Sequence, residues 1–152
     1  MKLLLDTSAY SHYFRGDERV VHLIRSAEAL LLPAIVLGEL FAGFALGGRE
    51  KKNLSELEQF LSSPRVSVVN TSEESARLYA EIYCALRSAG QGAGRECPAQ
   101  PRMAFAKRSA GKPISTNDLW IAALAREHGA ALVSFDAHFN YIAGLRVLPD
   151  TR

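Results

Sequence analysis

Short apolar runs alternate with amphipathic segments along this chain. "KLLL" (2–5) and "ALLLP" (29–33) are too short for helices and too apolar for a solvated surface, and they predict buried strands. "RVSVVN" (65–70) alternates and predicts a third strand. "AALVSF" (130–135) and "LRVLP" (145–149) predict a fourth and a fifth.

The segments between them carry helical spacing and punctuation. "TSAYSHYFRG" (7–16) predicts a short helix with Thr7 or Ser8 as its cap and Gly16 as its stop. Residues 17–28 place Val20, Val21, Leu23 and Ile24 on one face. Residues 33–47 open with proline in the first turn and stop at Gly47-Gly48. Residues 50–64 are amphipathic through Leu54, Leu57, Phe60 and Leu61. Residues 71–90 open with a capping box, Thr71 with Glu74. "STNDLWIAALAREHG" (115–129) predicts a helix stopped by Gly129, and "DAHFNYI" (136–142) a short helix or turn. Strands alternating with helices imply an α/β fold with a mostly parallel sheet of about five strands.

Composition narrows the class. The 152 residues, 48% hydrophobic and 22% charged, suit one soluble domain with a real core, and we expect a single domain over 1–152. No apolar stretch approaches the ~20 residues of a membrane span, and Asp6 interrupts the N-terminal leucines before they could form a signal core. Cys84 and Cys97 make neither a disulfide framework nor a zinc spacing. A cytoplasmic protein is expected.

One stretch breaks the pattern. "RSAG" occurs at 87–90 and again at 108–111, and removing one such period leaves "LRSAGKPISTND", an ordinary helix-to-helix link. Residues 91–111 are rich in Gly, Pro and Ala, and predict a flexible insertion. They carry four cations against one acid, a net of +3, so the remainder of a chain with net charge +2 stands at −1.

Four acids occupy telling places. Asp6 and Asp136 each follow a predicted strand, where open α/β sheets bind ligands; a cap or turn role explains either one alone. Glu39 lies among Ile35, Val36, Leu40 and Phe44 on an apolar helix. There it is either solvent-facing or buried, and if buried then paired, protonated or metal-bound. Asp118 stands in a first turn that Thr116 and Asn117 can already cap, so it is free for another role; dipole stabilisation is the plainer reading. Together the four suit one edge of a sheet, and converging carboxylates call for a cation. Oxygen donors without a His or Cys cluster favour Mg²⁺ or Mn²⁺ over zinc. His12, His22, His128 and His138 are scattered and read as surface or packing residues.

"LLLDTSAY", "VLGELFAG", "STNDLWIAALA" and "LVSFDAHF" resemble the four acidic motifs of PIN-domain ribonucleases, in order and spacing, and most of all those of VapC-type toxins. The resemblance covers the chain outside 91–111. It implies a PIN-like α/β/α sandwich on a parallel five-stranded sheet and metal-dependent endonuclease action on RNA. It further implies a homodimer, a small VapB-type antitoxin, and operator DNA bound only through the antitoxin complex. Carried over, Asp6, Glu39, Asp118 and Asp136 are the catalytic and metal-binding quartet, with Mg²⁺ or Mn²⁺ as cofactor. Thr7 or Ser8 matches the hydroxyl position supporting the first acid, and Asn117 and Ser134 match polar neighbours of the site. The insertion departs from the pattern; by position it should hang near the active-site rim.

Two other readings compete. One is a catalytically weak PIN-like module acting mainly through antitoxin and operator binding. The other is a phosphotransferase of the haloacid-dehalogenase kind, which wants a second acid two residues after the first; here that position is Ser8.

Overall fold

The computed structural model describes residues 1–89 and 114–149. The predicted insertion at 91–111 lies outside the described residues. Five strands, β1 (Lys2–Leu5), β2 (Ala29–Pro33), β3 (Val66–Val69), β4 (Ala131–Val133) and β5 (Val147–Leu148), form one sheet in the order β3-β2-β1-β4-β5. Every pairing is parallel. Leu3, Leu4 and Leu5 are all 0% exposed. Successive strand residues point to opposite faces, so both faces of β1 are covered, as a parallel sheet between helical layers requires.

Six helices complete the described fold: α1 (Thr7–Phe14), α2 (Glu18–Ser26), α3 (Ala34–Leu46), α4 (Glu50–Leu61), α5 (Glu73–Ala89) and α6 (Thr116–Glu127). The glycine stops act as expected. Gly16 and Gly129 adopt φ of +81° and +58°, a region that side chains with a Cβ avoid. After α6, the Gly129 N–H reaches Arg126 O at 3.1 Å and the Ala130 N–H reaches Ala125 O at 2.9 Å. This paired closure satisfies carbonyls the helix end would otherwise leave bare.

The starts of several helices differ from expectation. Asp6, rather than Thr7 or Ser8, caps α1 by accepting from the Ala9 N–H. The α5 start falls on Ser72 and Ser75, whose backbone N–H groups each donate to the other's hydroxyl, so Thr71 is not the cap. Ser72 also donates to Glu127 at 2.6 Å, and Tyr79 stacks on Trp120 at 4.5 Å, which joins α5 to α6. Trp120 is thus half-buried against α5 rather than enclosed in the core. Short polar side chains compete for the cap position, and each start offers adjacent candidates, Asp6-Thr7-Ser8 and Thr71-Ser72.

Helix α3 is apolar nearly all round, yet only Val36 and Leu40 are fully buried in it. Phe41 and Leu46 stand 48% and 92% exposed. Strand β1 is central: the chain leaves it toward β2 on one side and returns to β4 on the other. The carboxyl ends of β1 and β4 therefore flank the switch point of the sheet, the usual ligand crevice of such folds.

Candidate active site

Asp6 stands at that crevice because the β1 ladder runs one bond past the strand, its N–H donating to Val133 O at 3.2 Å. Asp6 is 6% exposed. Oδ1 accepts from the Ala9 N–H at 2.6 Å and from Ser8 Oγ at 2.8 Å; Oδ2 accepts from Ser134 Oγ at 2.5 Å. Both serines also accept from the far strand end. Ser134 Oγ takes the Asp136 N–H at 3.0 Å, and Ser8 Oγ takes the Phe135 N–H at 3.1 Å. Two hydroxyls thereby lock the tips of β1 and β4 in register around one carboxylate.

Thr7 serves a different acid. Its hydroxyl donates to Glu39 Oε2, while Asn117 Nδ2 donates to Oε1 at 2.7 Å. Glu39 is half-buried rather than enclosed, and it is held from α1 and α6 at once. Asp118 is not free of the helix start: Ser115 is the α6 cap, and Asp118 completes a capping box by accepting from the Ser115 N–H at 3.2 Å. Asp136 caps the short 3-10 helix Ala137–Tyr141, accepting from the His138 N–H at 2.9 Å.

The electrostatics follow from this crowding. Burial raises the carboxyl pKa of Asp6; hydrogen bonds from Ser134, Ala9 and Ser8 oppose the rise, and the charge of Asp118 adds to it. Burial likewise raises Asp118, opposed by its bonds to Ser115 and reinforced by the charges of Asp136 and Glu39. Asp6, Glu39 and Asp136 thus each lie within electrostatic reach of Asp118. The tightest group is smaller: one ligand atom each of Asp118, Asp136 and His138 lie within 4.8 Å of one another. A divalent cation fits these donors, because it offsets both the desolvation that chiefly raises Asp118 and the added charges of Asp136 and Glu39.

His138, expected at the surface or in packing, is 17% exposed at its side chain and stands beside Asp136 and in reach of Asp118. The signal was the D-x-H spacing of "DAHF". An acid that caps a tight turn brings the side chain two residues on back beside its own carboxylate. A second feature missed in the sequence flanks the site. His12 stacks on Phe135 at 3.8 Å, and its Nδ1 lies 3.0 Å from Asp17, which also holds Arg19 through two bonds at 3.2 and 2.9 Å.

A parallel α/β/α sandwich with carboxylates at its switch point defines the class, and the chain belongs to the PIN domain family, whose profile matches residues 3–145. The resemblance to VapC-type toxins is met by solved structures of that kind. VapBC2 from Rickettsia felis, bound to a DNA fragment from its promoter, aligns at TM-score 0.72 and 23% identity over 97% of each chain. FitAcB from Neisseria gonorrhoeae aligns at TM-score 0.69 and 27% identity, over 97% of this chain and 96% of that one. VapC20 of Mycobacterium tuberculosis, a sarcin-ricin loop cleaving toxin, aligns at TM-score 0.57 and 17% identity, over 91% and 92%. A comparison with curated proteins returned no match. Among the described residues no helix is long and apolar enough to cross a membrane.

Proposed function

We propose that this chain is a metal-dependent endoribonuclease, the toxin of a toxin–antitoxin pair. The observation that carries the reading is the convergence of Asp6, Glu39, Asp118 and Asp136 at the sheet's switch point, with Asp118 and Asp136 close enough to share an ion. Asp118 and Asp136 would hold Mg²⁺ or Mn²⁺. That ion, when bound, supplies charge to polarise a phosphodiester and acidify a water. Asp6 is oriented by Ser8 and Ser134, and Glu39 by Thr7 and Asn117, so each carboxylate is held in one orientation. Arg19, exposed and lying over the Phe135 ring at 5.2 Å, offers a cation beside the site for an anionic backbone.

The partner half of the reading rests on another surface. A cavity of about 340 Å³ is lined by Tyr10, Phe14 and Phe44 and rimmed by Arg15, Arg49 and Lys52. Three aromatics beside Arg15 and Arg49, with Lys52 already facing Glu56, suit an amphipathic helix bearing acidic residues, such as a small VapB-type antitoxin would present. The exposed side of α3 suits a homodimer contact. The promoter fragment in the Rickettsia complex supports operator binding through the antitoxin complex.

The test is cleavage of total RNA by the purified chain with Mn²⁺, with Mg²⁺ and with chelator. Cleavage is expected with either ion and not with chelator. Asp118→Asn should lower it by about a hundredfold or more, the order found when one electrostatic catalytic group is removed. Equal cleavage in chelator, or by the Asn variant, would refute the reading.

A further inference from the structure

We infer that Arg19 is a phosphate contact for the RNA strand, made by the outer end of its guanidinium at the rim of the acidic site. This rests on the ribonuclease reading given above. Carboxylates at the ends of β1 and β4 repel an RNA backbone, so a strand lying across them needs a cation beside them. Arg19 stands in such a place. The centre of its guanidinium lies 5.2 Å from the centroid of the Phe135 ring. Phe135 falls between Ser134 and Asp136, and its N–H donates to the same Ser8 hydroxyl that binds Asp6. One ring thus ties the arginine to the carboxylate cluster.

The side chain is exposed and yet held. Asp17 accepts from the Arg19 backbone N–H at 3.1 Å, from Nε at 3.2 Å and from Nη2 at 2.9 Å. His12 fixes this acid in turn: its Nδ1 lies 3.0 Å from Asp17 Oδ2, and its ring stacks on Phe135 at 3.8 Å. The ion pair does not hide the positive charge from solvent. The Asp17 side chain is 16% exposed and that of Arg19 62%, so the surface presents the cationic end. A guanidinium carries five N–H donors in a fixed fork. Asp17 takes the Nε–Nη2 edge, and among the described residues no acceptor engages Nη1. The remaining Nη1–Nη2 edge matches two oxygens of one phosphate. Because Asp17 orders the side chain in advance, less entropy is lost when a phosphate arrives.

The experiment measures binding of a fluorescent single-stranded RNA of mixed sequence to the full chain across a range of salt. It is done in chelator, where cleavage is not expected. Arg77 is the control. Its side chain is 68% exposed and paired with Glu73, so it matches Arg19 in charge and pairing but stands on α5. Arg19→Ala should weaken binding about tenfold. It should also flatten the slope of log affinity against log salt by about 0.7, one phosphate contact on a single strand. Arg77→Ala should leave both unchanged. Arg19→Lys keeps the charge but lacks the fork, so it should restore the slope and not the affinity. Equal losses in the two alanine variants would reduce the effect to net charge. Full recovery by Lys would reduce it to a point charge, and wild-type binding by Arg19→Ala would mean no contact. Each of these overturns the inference and leaves the nuclease reading standing. A wild-type chain that binds no RNA would overturn the nuclease reading itself. Matching melting temperatures check that each variant is folded.

Discussion

Asp6 and Asp118 hold their carboxyl protons more tightly folded than unfolded, chiefly because burial disfavours the charge. The consequence for stability has a definite sign. A raised folded pKa contributes stability below the unfolded value of 3.8, and that contribution is lost as pH rises through the folded pKa. In chelator, Asp118→Asn removes one such group. Its melting temperature minus that of the wild type should therefore be larger at pH 7 than at pH 4. A difference independent of pH would show that Asp118 is not strained by charge. Adding Mn²⁺ should raise the wild-type melting temperature more at pH 7 than at pH 4, since the ion binds the ionised form. The four acids were legible as a set because Asp6 and Asp136 end strands, Asp118 opens a helix and Glu39 interrupts an apolar one, and those places can be read from apolar runs. Which hydroxyl serves which acid was not legible. Thr7 and Ser8 are adjacent, yet the first turn of α1 sends one to Glu39 and the other to Asp6, a choice made by packing between helices. His138 was hidden for a like reason: its partner is chosen by the turn that Asp136 caps.

At the scale of the element, caps and stops carry the boundaries. Gly129 has open space where a Cβ would go, so Gly129→Ala tests backbone conformation alone. It should destabilise by about 1–2 kcal/mol, the cost of a left-handed L-residue, seen as a lower urea midpoint with an unchanged slope. No shift in the midpoint would mean that the turn after α6 relaxes without the glycine. Strand positions were readable almost to the residue in β1 and β2, where apolar runs meet polar ends. They were overestimated in β4 and β5, which are only three and two residues long. There the predicted runs extend past the ladder because Ala130, Phe135 and Leu145 pack against the core from just outside the strands. Helix α3 was harder to place. Its apolar residues suggested burial, but hydrophobicity reports that a face is covered by something, not that the cover belongs to the same chain.

For the whole molecule, that uncovered side of α3 separates folding from association. Leu46 is 92% exposed, so Leu46→Ser should leave monomer stability within about 0.5 kcal/mol while weakening assembly. Sedimentation of the variant against the wild type would check this; unchanged association would move the contact elsewhere. The sheet order has a consequence of another kind. The bond between Ser134 and Asp6 joins residues 128 positions apart, and β1 waits in the middle of the sheet for a neighbour made near the end of the chain. At ordinary rates of synthesis, roughly ten seconds separate the appearance of these two residues. No shorter nascent chain can complete the carboxylate cluster, because Asp136 and His138 come later still. On the proposed nuclease reading, the site cannot form until Asp136 and His138 have been made, so the proposed inhibitor is needed only once β4 and the turn beyond it have emerged.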